Sequence, residues 1–375
     1  MSNEVISLAE KLIKFKTVSH HYKEIKECAS FIERYAKDNN LYYEFHDNGN
    51  NPVLVLSNGE KRKFDIMSLG HIDVVPGSDK IFTPTNDGER LKGRGSFDMK
   101  TGVAVGLELL SWVKKENKNL DMGVVLTSDE EVQEAKSMDF VQDLGVEAKV
   151  ILDIDALSGI STIVEKNKDV VFVNLISEGQ RASGMLPWEG KSAIDYLLAT
   201  IGNLRKHFPY FDVDKKPSEE PFGRHYWVNS LNIGTINGGY QINRVSDMAV
   251  AQLDFRLVDG MDSAQVAKIL NSCLVGKTHY EMRFETGFVN EDRNNPVIKE
   301  YQQIVENVID KKVDFLRDGR MSNSGMLKDK KGASVILHSY SGGGYHAEDE
   351  WVDIKSVKQL YNIQKKFVEN YSNKR

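Results

Sequence analysis

The stretch Phe64-Asp65-Ile66-Met67-Ser68-Leu69-Gly70-His71-Ile72-Asp73-Val74-Val75-Pro76 decides how the chain is read. Its first half, Phe64 to Leu69, is a short apolar run of the kind that forms a buried strand. The run leads directly into His71 and Asp73. On an extended backbone, residues two apart share one face. The pair therefore meets at the carboxyl end of a strand, where open α/β sheets place their ligands. A neutral imidazole is a common metal ligand, and a nearby carboxylate fixes its tautomer. By itself, His-x-Asp is more often a self-satisfied loop pair than a metal site, so the rest of the chain has to decide.

Outward from this strand, helices and strands alternate. Apolar residues at helical spacing predict helices over 4–15 and 22–38, and again over 99–115 and 137–144. Short strands are expected near 41–46 and 52–57, on either side of the turn cluster Asn48-Gly49-Asn50-Asn51. Met122 to Leu126 and Val150 to Leu152 read as further buried strands, and 86–95 as a glycine-bearing loop. This alternation implies an α/β domain with a mostly parallel sheet covered by helices. From about residue 169 the order becomes strand (Val170–Ile176), helix (Ala193–His207), strands (Trp227–Ile233 and Met248–Leu257), helix (Ala264–Leu274) and strand (Tyr280–Phe284). That β-α-β-β-α-β order is the ferredoxin-like unit. It predicts an inserted domain over 169–287 within a discontinuous catalytic domain of 1–168 and 288–375. The latter closes with a helix over Val297–Ile309, a strand over Ser334–Leu337 and a helix over Ile354–Tyr371.

The totals narrow the class. The chain has 375 residues, 40% hydrophobic and 28% charged, the mix of a soluble globular protein. A net charge of -6 argues against a nucleic-acid or anionic-membrane binder. The two cysteines, Cys28 and Cys273, form no CxxC pattern and fit a reducing compartment. The start Met1-Ser2-Asn3-Glu4 lacks the basic and apolar regions of a signal peptide, and no run has the length of a membrane span. A cytoplasmic location is the expectation.

Four more segments bring chemistry to strand ends. Gly93-Arg94-Gly95-Ser96-Phe97-Asp98-Met99-Lys100 precedes a helix, where Asp98 reads either as an N-cap or as a ligand. Thr127-Ser128-Asp129-Glu130-Glu131 ends a strand. Crowded acids are either solvated or neutralised by something positive, and adjacent carboxylates can divide metal binding from proton transfer. Asp153-Ile154-Asp155 repeats the His71/Asp73 spacing, with a turn as its plain alternative. Gly342-Gly343-Gly344-Tyr345-His346-Ala347-Glu348-Asp349-Glu350 is either a mobile loop or a place where backbone and ligand come close. Histidine and carboxylate donors suit zinc or a similar divalent ion, and a shared carboxylate would allow two metals about 3.5–4 Å apart.

These pieces, in this order, resemble the dinuclear zinc peptidases of family M20, which include acetylornithine deacetylase, succinyl-diaminopimelate desuccinylase, glutamate carboxypeptidase, aminoacylase and several dipeptidases. The matching segments are Gly70–Pro76, Gly93–Lys100, Ser128–Glu131 and the glycine-rich stretch with His346. The resemblance implies a zinc-exopeptidase-like catalytic domain with an inserted lid, and an amide bond cleaved in a small N-acyl amino acid or short peptide. It implies two Zn2+ per subunit, with Co2+ or Mn2+ as substitutes. His71, Asp98 and Asp155 would hold one metal, with Asp153 as the runner-up for Asp155. Glu131, Asp98 and His346 would hold the other. Asp73 would orient His71, and Glu130 would be the general base. In the inserted domain the resemblance extends to Gly179, Ala182, Pro187–Lys191 and Ala193-Ile194. There it implies homodimerisation through the lid, with Asn243 and Arg256 gripping a substrate carboxylate; a plain surface charge is the alternative for Arg256.

Three departures stand against the family pattern. Ser183 occupies a place where members often carry a histidine that stabilises an oxyanion across the dimer. His207 and His225 are the other imidazoles of that region, and the sequence assigns neither to the role. Glu131 is followed by Val132-Gln133-Glu134-Ala135-Lys136, without the usual glycine. Arg320-Met321-Ser322-Asn323 replaces a Gly-Thr/Ser-Ser-Asp segment and reads as an acidic-substrate contact or a surface charge. They leave open a catalytically weakened homologue that binds peptide or metal.

Overall fold

The computed structural model describes residues 2–132, 136–209 and 227–374. The chain forms two compact units. One comprises Met1–Lys166, Val289–Leu316 and Ser322–Arg375, and the other Asn167–Phe288 with Arg317–Met321. Arg317–Met321, which the sequence reading puts with the larger unit, groups with the smaller one. There the C=O of Asp318 accepts the N–H of Lys168 at 3.1 Å.

The larger unit is built on an eight-stranded sheet. Its central strands are Met122–Thr127, Lys63–His71, Glu147–Asp153 and Ser334–Leu337, in that spatial order and all parallel. Antiparallel neighbours flank them: Val53–Ser57 with Tyr42–His46 on one side and Thr162–Asn167 on the other. The mostly parallel character thus belongs to the centre of a mixed sheet. The central strands are apolar because both of their faces are covered. Leu54, Leu56 and Ile66 pack against the helices Ser2–Ile13, Tyr22–Asp38, Lys100–Lys115, Pro296–Ile309 and Ile354–Asn373. Val53, Val55, Phe64, Met67 and Leu69 face the opposite way, onto a second cluster with Met138 and Val141 of the short helix Ser137–Asp143.

The segment 86–95 is more ordered than a loop. Thr85–Asn86 and Arg90–Lys92 join Trp351–Asp353 and Gly342–Gly343 in a small antiparallel sheet. No alternating run announces strands this short, and partners distant in sequence create them. The strands Thr162–Asn167 and Asp314–Asp318 and the helix Ser324–Lys331 are likewise absent from the sequence reading.

The smaller unit has four antiparallel strands in the order Ser230–Gly238, Met248–Leu257, Asp169–Glu178, Lys277–Glu285. The helices Ala193–His207 and Ser263–Cys273 follow the first and third strands in sequence, which is the ferredoxin-like arrangement. Alternate residues of Met248–Leu257 (Ala249, Ala251, Leu253, Phe255, Leu257) are buried with Leu197, Leu204, Val266 and Leu270 of the helices. Ser192 caps the first helix, and Asp262 closes a capping box with Gln265 on the second. Among the described residues, no helix is long and apolar enough to cross a membrane.

Candidate metal centre

Strand register brings the site together. His71 lies opposite Thr127 on one neighbouring strand, and Leu69 lies opposite Asp153 on the other. Three parallel strands therefore release their chains at the same edge, and the segments that follow carry Asp73, Glu130, Glu131 and Asp155.

His71 is 1% exposed. Its Nδ1 donates to the C=O of Asp73 at 3.0 Å and lies 3.4 Å from that residue's carboxylate. This leaves Nε2 as the ligand atom, 3.1 Å from Oδ1 of Asp98 and 3.8 Å from Oε2 of Glu130. Asp73 is fully buried and accepts from Ser19 Oγ (2.9 Å), Glu130 N–H (3.2 Å) and Glu131 N–H (3.0 Å). One carboxylate thus fixes both the imidazole and the main chain of the acidic segment.

Asp98 does not cap the helix that follows it: Lys100–Lys115 starts without a side-chain cap. Its carboxylate instead faces both imidazoles, with Oδ2 3.4 Å from Nε2 of His346. The same His346 nitrogen lies 3.1 Å from Oε2 of Glu131. Among the described residues, atoms able to ligate a metal fall into three groups, each within 4.8 Å: His71–Asp98–Asp155, Asp98–Glu131–His346 and His71–Glu130–Glu131. Asp98 is common to the first two. Asp153, the runner-up, is in none of them. It accepts the N–H of Asp155 at 3.0 Å and the hydroxyl of Ser322 at 2.7 Å, so it shapes the turn that presents Asp155.

The electrostatics follow from enclosing many acids. Burial raises Glu130 to about 8, with Glu131, Asp98 and Asp73 adding repulsion and His71 opposing it. Burial, then Asp98 and Glu130, pushes Asp155 well above the carboxylate range. Glu131 is raised by burial too. Burial works against the charge on His71, but Asp73 and Asp98 more than offset it and hold the ring well above its ordinary value. Asp98, then Glu131, pushes His346 up to about 10. Burial would raise Asp98, yet His346 and His71 hold it well below its ordinary value. Four carboxylates against two imidazoles form a donor set with surplus negative charge, which fits divalent cations.

The glycine-rich stretch is partly a packing device. A side chain on Gly342 would meet the Phe97 ring at 2.6 Å, and Gly344 turns the chain at φ +67°. His346 follows at φ 62°, its side chain 46% exposed. Several supports escape sequence reasoning: Ser19, Ser322, Arg94 and Glu350. The first two carry no local signal. Arg94 does, because an arginine between two glycines in a buried motif requires an anion.

The substrate-side residues are placed differently. Arg256 forks onto Asp254 through Nε (2.8 Å) and Nη2 (3.2 Å). Asn243 is exposed, and its C=O accepts the N–H of Gly184 at 2.7 Å. Ser183 is exposed, with its Oγ accepting from Met185 N–H at 3.3 Å. His207 ends its helix exposed, and His225 lies outside the described residues. Arg320 forks onto buried Asp318, so it is not a free surface charge.

Comparison with known proteins gives the family of the chain. A probable carboxypeptidase from Paracoccidioides lutzii is 26% identical over 303 residues, covering 75% of this chain and 66% of that protein. The chain thus spans just under two thirds of that relative's length. An acetylornithine deacetylase from Buchnera aphidicola subsp. Schizaphis graminum is 21% identical over 98% of this chain and 97% of that protein. A solved tripeptidase from Staphylococcus aureus has a TM-score of 0.74 at 18% identity, covering 100% of this chain and 99% of that one, which shows the shared fold. The sequence profile of peptidase family M20/M25/M40 matches residues 67–370, and the chain belongs to that family.

Proposed function

We propose that the protein is a dimetal amidohydrolase that cleaves a small N-acyl amino acid or a short peptide. The observation that carries this reading is Asp98, whose two carboxylate oxygens face two separate ligand groups. His71, Asp98 and Asp155 would hold one cation, and Asp98, Glu131 and His346 the other, with zinc the first choice and Co2+ or Mn2+ as substitutes. When bound, such cations polarise an amide carbonyl and acidify the attacking water. Glu130 takes the water's proton at its carboxylate and returns it to the leaving amine. Its raised proton affinity in the metal-free centre comes mainly from burial, and nearby cations would restore the charged form a base needs. Asp73 keeps His71 in the tautomer that offers Nε2, and holds the main chain on which Glu130 rides.

Asn243 and Arg256 are proposed to receive the substrate carboxylate, Arg256 while sharing its guanidinium with Asp254. We propose a homodimer through the smaller unit, where Met185, Trp188, Tyr240 and Ile242 are each more than 70% exposed. Two free, buried cysteines and a net charge of -6 support a cytoplasmic enzyme without nucleic-acid or membrane partners. Ser183, without an imidazole and turned into its own loop, favours a second reading: a weakened homologue that binds peptide or metal. Metal analysis, followed by a screen of dipeptides, tripeptides and N-acyl amino acids with Zn2+, Co2+ and Mn2+, separates the two. Two metals with turnover supports the hydrolase. Two metals without turnover on the whole panel supports the binder.

A further inference from the structure

Glu350 stands four residues beyond His346 and is 1% exposed. Its Oε1 accepts the backbone N–H groups of Phe97 at 2.9 Å and Asp98 at 3.1 Å. Its Oε2 accepts from Nη1 of Arg94, which is 2% exposed. Arg94 Nη2 in turn donates to the C=O of Pro76 at 3.3 Å, and the C=O of Glu350 accepts the N–H of Gly93 at 3.0 Å. One buried ion pair thus touches the chain beyond Asp73, the chain at Asp98 and the loop of His346. Neither member belongs to a ligand group.

Stability is a poor reason for this pair. A buried ion pair is often no better than apolar residues of the same volume. Its backbone acceptances are more informative, since two successive N–H groups aimed at one oxygen fix the main chain at Asp98. We propose that Glu350 is a positioning residue that ties the His346 loop to the Asp98 loop. The strut sets the gap across the Asp98–Glu131–His346 group, where Nε2 of His346 stands 3.4 Å and 3.1 Å from its two carboxylates. The inference rests on reading that group as a metal position, and the test separates the two.

Metal-free wild type and Glu350→Gln are titrated with Co2+ against a chelator. Glu350→Gln binds the equivalent held by the His346 group, the second, about 10–100-fold more weakly, while the first, whose group shares Asp98 but not His346, loses clearly less. Hydrogen exchange on the metal-free proteins shows faster exchange at Phe97 and Asp98 and unchanged protection in Lys63–His71. Because Glu350→Gln leaves the guanidinium of Arg94 without its anion, the Arg94→Met/Glu350→Gln double variant guards against loss of fold and keeps the weakened second equivalent. A folded variant that binds both equivalents as wild type does overturns the proposal. So does an equal loss at both positions accompanied by lower thermal stability, which marks a general structural role. If wild type takes up fewer than two metals, the dimetal reading fails, and exchange at Phe97 and Asp98 alone decides whether Glu350 holds that loop.

Discussion

His71 and His346 offer the same ring to the same carboxylate from opposite kinds of backbone. His71 ends a strand with parallel neighbours on both sides, and its ring is almost wholly enclosed. His346 stands in a left-handed turn, its side chain 46% exposed, on a loop tied down by Glu350 and Glu348. Burying the apolar strand places the first imidazole as a by-product of folding. The second is placed by polar contacts, the buried ones of Glu350 and the exposed ones of Glu348, that lie outside the apolar clusters. A change on the sheet side should therefore disturb fold and site together, whereas one on the loop side should disturb the site alone.

The largest expected effect lies between the two. Glu130 has its N–H held by Asp73 on the sheet side, and its carboxylate stands 3.8 Å from His71. Glu130→Ala should lower kcat by about 10²–10⁴-fold, the usual worth of a positioned acid–base group. Both metal equivalents should remain, because each cation keeps three other donors. Steady-state kinetics beside metal analysis checks this, and undiminished hydrolysis would remove Glu130 as the base.

Asp73→Asn probes the sheet side directly. Asn keeps one acceptor but loses the charge facing His71 and one of the oxygens shared among Ser19, Glu130 and Glu131. Affinity at both metal positions should drop by about 10–100-fold, since orienting partners of ligands carry that much. The apo protein should also melt earlier, because Asp73 is fully buried. Wild-type melting with impaired metal binding would break the comparison, since sheet-side residues would then act on the site alone.

This asymmetry also decided what the sequence disclosed. Elements made by burial were legible: the strand before His71, the helix Ala193–His207 and the strand Met248–Leu257 each carry their apolar period in the chain. The neighbourhood of the candidate ligands was legible too, because Asp98, Glu130/Glu131 and Asp153/Asp155 sit beside such elements, while the choice among them came from the family resemblance. The contacts that hold the loops were not. Glu350 meets Arg94 across an interval of 256 residues, and Ser322 meets Asp153 across 169. Apart from Arg94 between its two glycines, nothing local marks such pairs, and strands as short as Arg90–Lys92 exist only because Trp351–Asp353 comes to lie beside them.

Protonation sets a smaller effect with a definite sign. The surrounding acids favour the protonated form of both imidazoles, His346 pushed up to about 10 and His71 held well above its ordinary value. Metal binds the unprotonated ring, so binding releases protons. Affinity should therefore rise with pH and fall in acid, by about tenfold per pH unit for each proton displaced. Calorimetry of metal binding in two buffers of different ionisation enthalpy counts the protons. A count of zero at neutral pH would mean that the carboxylates do not hold the rings charged, on either side of the centre.

The smallest effect should come from the loop's other tie. Glu348 accepts the N–H of Ser78 at 2.9 Å and also its hydroxyl, but both residues are exposed. Water can replace both bonds when the side chain is removed, which is harder at Glu350, 1% exposed and accepting from the N–H groups of the buried residues Phe97 and Asp98. Glu348→Ala should therefore leave melting unchanged and weaken the second metal equivalent much less than Glu350→Gln does. Chelator competition on the two variants side by side gives the ratio directly. If Glu348→Ala weakened that equivalent as much as Glu350→Gln, the loop would be held by its number of ties rather than by their burial, and the contrast drawn between the two imidazoles would lose its physical basis.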